Sequence, residues 1–369
     1  MLDSKTIPFL DLSSSHTGLK TTMPVGTQDA NSIPWDPNNT SFPSRKDLLR
    51  LPDAPEDAAW VWGKDDCCGR LNLLTPNRIR AASTYIKTGE LIPMDLPTSI
   101  PATPAAGRLP FKHEIKTLAP GLAYDDIYAL NTQSSTQWDG FRHVAHKGSR
   151  KFYNGVTAED FAGSDVADLG KGSIHHWRDQ IGGITGRGIL LDYRSYADSL
   201  GLRYDSASRH SISYGELEAC GKWQGIDIRP ASQGGDSQVG DILFIRSGWV
   251  HDYYHRSEDE NRALALRSIE ETTFAGVKQE EKMVDWLHDC YFAAVAGDAP
   301  GFERWPTEEK WMLHEYLLAL WGIPIGEMVD LERVSEVARR EGRWTFFFTS
   351  APFRTIGGIA SFLNATAIF

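Results

Sequence analysis

The stretch Gln133-Ser134-Ser135-Thr136-Gln137-Trp138-Asp139-Gly140-Phe141-Arg142-His143 sets an acid and a histidine four residues apart, with two amides at regular positions before them. Taken alone, Asp139-Gly140 reads as a turn and His143 as a structural histidine. Predicted strands and loops surround the stretch. Upstream, Asp126 to Leu130 forms a predicted strand leading into it. Before that, residues 97–123 carry Pro101, Pro104, Pro110 and Pro120 and read as a long loop or flap. Downstream, Gly188 to Asp192 and Phe292 to Asp298 are short apolar runs suited to buried strands. Val239 to Trp249 is a Gly-Asp turn, a β-branched and aromatic strand, then Gly248. Trp344 to Thr349 is a further β-prone run.

Helices are predicted between these strands. Thr75-Pro76 places a cap and a first-turn proline before Asn77–Lys87, and Ser213 opens another helix. Met312 to Trp321 is apolar and helix-favouring. Glu90 to Leu96 reads as a strand. Alternating strands and helices, with several fully apolar strands, indicate an α/β fold rather than all-β. No domain boundary is visible beyond residue 60. Residues 1–55, rich in Pro, Ser, Thr and Asn, read as an extended N-terminal arm before one domain over 56–369.

Composition narrows the function. The chain has 369 residues, 41% hydrophobic and 24% charged, enough for a sizeable core. A net charge of −11 argues against general nucleic-acid or anionic-membrane partners, which need a basic face. A small-molecule substrate is the partner expected. The N-terminus lacks the basic start and apolar run of a secretory signal, and no apolar run is long enough to span a bilayer. Cys67, Cys68, Cys220 and Cys290 have no metal-knuckle spacing and read as buried free thiols. A cytoplasmic, reducing location is the expectation.

The 133–143 stretch resembles the signature H-x-G-T-H-x-D-x-P-x-H of the cyclase family, which includes bacterial-type kynurenine formamidase and isatin hydrolase. Thr136, Asp139 and His143 match it. Gln133 and Gln137 stand at the two leading histidines, and Ser135 and Phe141 replace Gly and Pro. Supporting blocks are Gly240-Asp241-Ile242-Leu243 with Gly248-Trp249, the segment His314 to Glu327, and Gly357 to Ser361. Asn72-Leu73-Leu74-Thr75-Pro76 and Gln137-Trp138-Asp139-Gly140 look like a fungal-type branch. The resemblance covers about residues 60–369. It implies a central mixed, barrel-like sheet flanked by helices, and a homodimer or homotetramer. It also implies metal ligands at Asp139, His314 and Glu327, a proton-transfer role for His143, and a Zn or Mn cofactor. The His314 to Glu327 interval is one residue longer than the family's, so Glu315 is an alternative to His314.

In such a site a divalent metal lowers the pKa of a water to about 7, and a histidine moves the proton. An amide oxygen is a weaker and harder ligand than imidazole, so Gln133 and Gln137 imply a harder metal, a looser one, or none. They are expected to line the pocket, with Trp138 stacking on a planar substrate. His175, His176, His251 and His255 read as surface or structural. The function expected is hydrolysis of an amide, lactam or lactone in a small aromatic or polycyclic molecule, with Asp139 and His143 as the catalytic pair. An N-formylkynurenine-like amide is the family-implied class. Two alternatives are a metal-independent cyclase or dehydratase of secondary metabolism, and a non-catalytic small-molecule binder.

Overall fold

The computed structural model describes residues 35–163 and 170–369. Its strands are β1 (Leu91–Pro93), β2 (Lys112–Ala119), β3 (Ala123–Ala129), β4 (Gln137–Asp139), β5 (Ile184–Leu191), β6 (Ser211–Ile212) and β7 (Ile242–Ile245). They continue with β8 (Gly276–Val277), β9 (Ala294–Gly297), β10 (Ile325–Glu327), β11 (Thr345–Ser350), β12 (Ala360–Phe362) and β13 (Ala365–Ile368). The helices are α1 (Pro76–Ser83), α2 (His175–Ile181), α3 (Tyr193–Ser199), α4 (Tyr214–Gln224), α5 (Trp249–His255), α6 (Glu258–Ala265), α7 (Glu281–Asp289) and α8 (Glu332–Glu341).

Nine strands form one mixed sheet in the order β1-β13-β11-β5-β7-β9-β10-β4-β12. The sheet curls into a half-barrel flanked by helices, as the α/β reading expects. Its centre is parallel: β5 with β7, β7 with β9, β9 with β10. Strands covered on both faces need no polar alternation, and every residue of Ile242–Ile245 and Ala294–Gly297 is buried. The antiparallel pairing of β4 with β10 and β12 closes the end of the sheet that carries the signature.

Local chemistry explains the helix starts. Ser213 accepts from the Glu216 amide, and Glu216 returns a bond to the Ser213 amide, a capping box at the start of α4. Pro76 occupies the first turn of α1, which ends at Ser83 rather than reaching Lys87. Met312–Trp321 departs from a regular helix. Glu315–Leu320 is a π-helix, and the Trp321 amide reaches back five residues to the Tyr316 carbonyl at 2.9 Å.

The expected flap contains more order than a loop. Residues 112–129 are a β-hairpin, β2 against β3. Nearly every side chain on it is exposed, so no two-residue alternation marks it in sequence. Part of the expected arm, residues 1–34, lies outside the described residues. The rest packs on the domain: Phe42 stacks on Tyr291 at 4.7 Å, and Arg45 pairs with Asp57, Glu281 and Asp285. All four cysteines are free and buried. Among the described residues no helix is long and apolar enough to cross a membrane.

His288 is fully buried between Tyr291 and Trp321, and burial pushes its pKa down to about 4 despite the Asp289 carboxylate beside it. In the unfolded chain it titrates near ~6.5. Between these values the unfolded state binds the extra proton, so stability falls as pH drops from 6.5 towards 4. A His288→Phe variant should flatten that dependence by up to about 1.4 kcal/mol per pH unit in urea unfolding. An unchanged slope would remove His288 from the acid response.

Candidate active site

The signature is built on a three-residue strand. In β4, Gln137 and Asp139 point to one face and Trp138 to the other, because strand side chains alternate. Register then sets the neighbours. Gln137 lies opposite Glu327 and Asp139 opposite Ile325 of β10. Cross-strand partners on one face are close enough to bond, and Gln137 Nε2 donates to Glu327 Oε2 at 2.9 Å. Trp138 lies opposite Gly326, where an added Cβ would come within 3.1 Å of the indole and 2.8 Å of Ala296.

This placement corrects the role expected of Trp138. The indole is fully buried, donates to Ser350 Oγ at 2.9 Å and meets Phe348 edge-on, so it packs the core instead of facing a substrate. Thr136 is structural as well. Its hydroxyl donates to the Met328 carbonyl at 2.6 Å and accepts from the Leu96 amide at 2.9 Å, fastening the chain that enters β4.

After β4 the chain turns tightly. Gly140 donates to the Ile359 carbonyl, where a Cβ would sit 2.4 Å from that oxygen, and His143 N donates back to the Gly140 carbonyl at 2.9 Å. The turn returns His143 Nε2 to 3.8 Å from Asp139 Oδ2, with its ring partly exposed. His314 enters from the start of the π-helix. Its Nε2 lies 3.2 Å from Glu327 Oε1 and 3.9 Å from Asp139 Oδ2. Ligand atoms of Asp139, His314 and Glu327 all lie within 4.8 Å of one another. Glu315 turns away, accepting from the Lys147 and Met312 amides at 2.7 and 3.0 Å.

A residue without a sequence signal completes the group. Glu303, buried, pairs with His314 Nδ1 at 2.7 Å and accepts from the amides of Leu313 and His314 and from Gln279 Nε2. A carboxylate on Nδ1 fixes the ring and leaves Nε2 facing Asp139 and Glu327, the arrangement common behind metal-binding histidines. Nothing in the spacing of Glu303 separates it from any other acid.

Charge decides what the group can hold. Three buried carboxylates surround one imidazole. Burial disfavours a charged His314, yet its bonds to Glu303 and Glu327 outweigh this and hold its pKa well above the usual value. Burial, reinforced by the Asp139 charge, raises Glu327. Asp139 Oδ2 and Gln137 Oε1 are buried with no hydrogen-bond partner, although Asp139 Oδ1 accepts from Gln133 Nε2. Buried charges are normally paired or bound to metal. Carboxylate oxygens, one imidazole nitrogen and an amide oxygen suit a hard divalent cation.

Beside this group lies a cleft, open to solvent, between the 101–108 loop and helices α5 and α6. Gln133 belongs to both, whereas Asp139, His143, His314 and Glu327 do not line the cleft.

Sequence comparison then identifies the relatives of this arrangement. The Cyclase family model matches residues 32–304. The chain belongs to the cyclase family. That membership places it among putative cyclases. The fold of this cyclase is similar to a crystal structure of a novel cyclase, with 27% identity and a TM-score of 0.70, over 85% of this chain and 99% of that one. It is also similar in fold to isatin hydrolase A from Ralstonia solanacearum, with 15% identity and a TM-score of 0.52, over 79% and 97% of the two chains. No curated protein matches the chain.

Asp139→Asn removes one of the buried carboxylates crowded around His314. In chelator-treated protein it should raise stability by about 1–2 kcal/mol in thermal or urea unfolding. Added Mn²⁺ should then stabilise the wild type and leave the variant unmoved. A less stable variant under chelation would show that His143, His314 and Gln133 already satisfy the Asp139 carboxylate without an ion.

Proposed function

We propose that this cyclase hydrolyses a C–N or C–O bond at the carbonyl of a small amide, lactam or lactone. The observation that carries the reading is the convergence of Asp139, His314 and Glu327, with Asp139 Oδ2 unpartnered and His143 at its side. These three residues, joined by Gln137 Oε1, would hold a divalent cation. Such a cation lowers the pKa of water to about 7 and polarises a carbonyl oxygen. The oxygen-rich donor set favours Mn²⁺ or another hard ion over Zn²⁺.

The chain's own groups supply the rest. Glu303 keeps the His314 ring oriented through Nδ1. His143 Nε2 takes a proton from the attacking water and returns it to the departing nitrogen or oxygen. Water adds at the carbonyl carbon, the C–N or C–O bond breaks, and a carboxylic acid and an amine or alcohol result. An imidazole both accepts and donates a proton, which suits the two halves of that transfer.

One observation favours a second reading. Gln137 Nε2 donates to Glu327 and Gln133 Nε2 to Asp139, so amide N–H groups already hold one oxygen of each carboxylate. A metal-free site of this kind would use His143 and Asp139 as acid and base in a cyclisation or dehydration.

Turnover of an amide, lactam and lactone panel, with chelator or with Mn²⁺, separates the two. Hydrolysis should require the ion, and His143→Ala should lower kcat by about 10²-fold or more. Equal hydrolysis under chelation would show that the reaction needs no ion. No turnover of any panel member under either condition would contradict the hydrolase reading.

A further inference from the structure

The cleft next to the site has an unusual charge for this molecule. The chain carries 49 acidic and 38 basic residues, yet three arginines and no carboxylate line the cleft. Among the described residues, neither Arg108 nor Arg267 has a carboxylate partner. Arg108 Nη1 donates to the Gln133 carbonyl at 3.0 Å, and Arg267 Nη1 donates only to Thr273 Oγ1 at 3.3 Å. Arg256 is held from behind. Its Nη2 bonds Asp205 at 2.6 Å and Ser206 Oγ at 3.0 Å, while its Nη1 is buried with no hydrogen-bond partner.

The remaining walls are largely apolar. Trp249 and Tyr253 of α5 stack at 5.3 Å, and Leu264, Phe274 and Met328 face the same space. The Ala102 amide donates to the Tyr253 hydroxyl at 3.0 Å, which ties the 101–108 loop across the cleft to α5. Arg108 thus stands at the end that meets Gln133, and Gln133 in turn bonds Asp139. A guanidinium with unused donors beside flat apolar walls recognises an anion carried on an apolar body, and its planar fork matches a carboxylate.

We propose that this cleft binds an apolar, ring-bearing carboxylate, with Arg108 and Arg267 on the anion and the Trp249–Tyr253 stack against the ring. The inference rests on the hydrolase reading only for its biological sense: it makes the substrate or its acid product an aromatic carboxylate. Binding itself does not depend on turnover.

The test uses 2-naphthoate and its uncharged counterpart 2-naphthamide, titrated into the full chain by calorimetry. Naphthoate should bind one per chain and at least about 10-fold tighter than naphthamide, the usual scale of a charge-assisted hydrogen bond. Arg108→Met and Arg267→Met should each remove most of that advantage and leave naphthamide affinity within about 2-fold. Leu264→Asp should weaken both probes. His143→Ala should bind naphthoate as the wild type does, so loss of turnover in that variant cannot be confused with loss of the cleft. Equal affinity for the two probes, no binding of either, or naphthoate binding unaffected by both arginine variants would overturn the proposal.

Discussion

Burying Asp139 and Glu327 on one face of the sheet is the constraint around which the site is organised. Antiparallel pairing of β4 with β10 puts them on adjacent strands, and the core behind them, Trp138 against Gly326, prevents a slip in register. A one-residue slip of β4 would turn Gln137 and Asp139 into the core and the indole into the site. Two carboxylates in so small a volume repel, and the surroundings answer in graded ways. His314 is held with a raised pKa by Glu303 and Glu327, the glutamines donate to one oxygen of each acid, and Asp139 Oδ2 is left over. That remaining oxygen is what a cation would satisfy.

Much of this was legible in the sequence, for identifiable reasons. Runs such as Ile242–Ile245 announce buried parallel strands because nothing polar interrupts them. Asp139, His143, His314 and Glu327 were named from the signature and its downstream blocks, and the fold brings all four together. Other features left no usable signal. The β2–β3 hairpin is exposed on both faces and so lacks alternation. The π-helix over Glu315–Leu320 has the composition of an ordinary helix, so its widened turn leaves no mark in the sequence. Glu303 acts only through a partner eleven residues further on.

Trp138 is the instructive error. Its place inside the signature suggested the pocket, but three residues of strand suffice to impose alternation. Once Gln137 and Asp139 face the site, Trp138 must face the core. The aromatic surface expected of it appears instead in the cleft, where Trp249 and Tyr253 stack. Amide oxygens at positions 133 and 137 bind soft ions less well than imidazoles would. These side chains also bring N–H donors, which here bond one oxygen of Asp139 and one of Glu327.

The direct test of this account is the metal content of the protein as purified without chelators, measured by elemental mass spectrometry. About one equivalent of a divalent ion per chain, Mn above Zn, is the result it predicts. No bound metal, with none taken up after incubation with Mn²⁺ or Zn²⁺, would contradict it and leave His143 and Asp139 as the working pair.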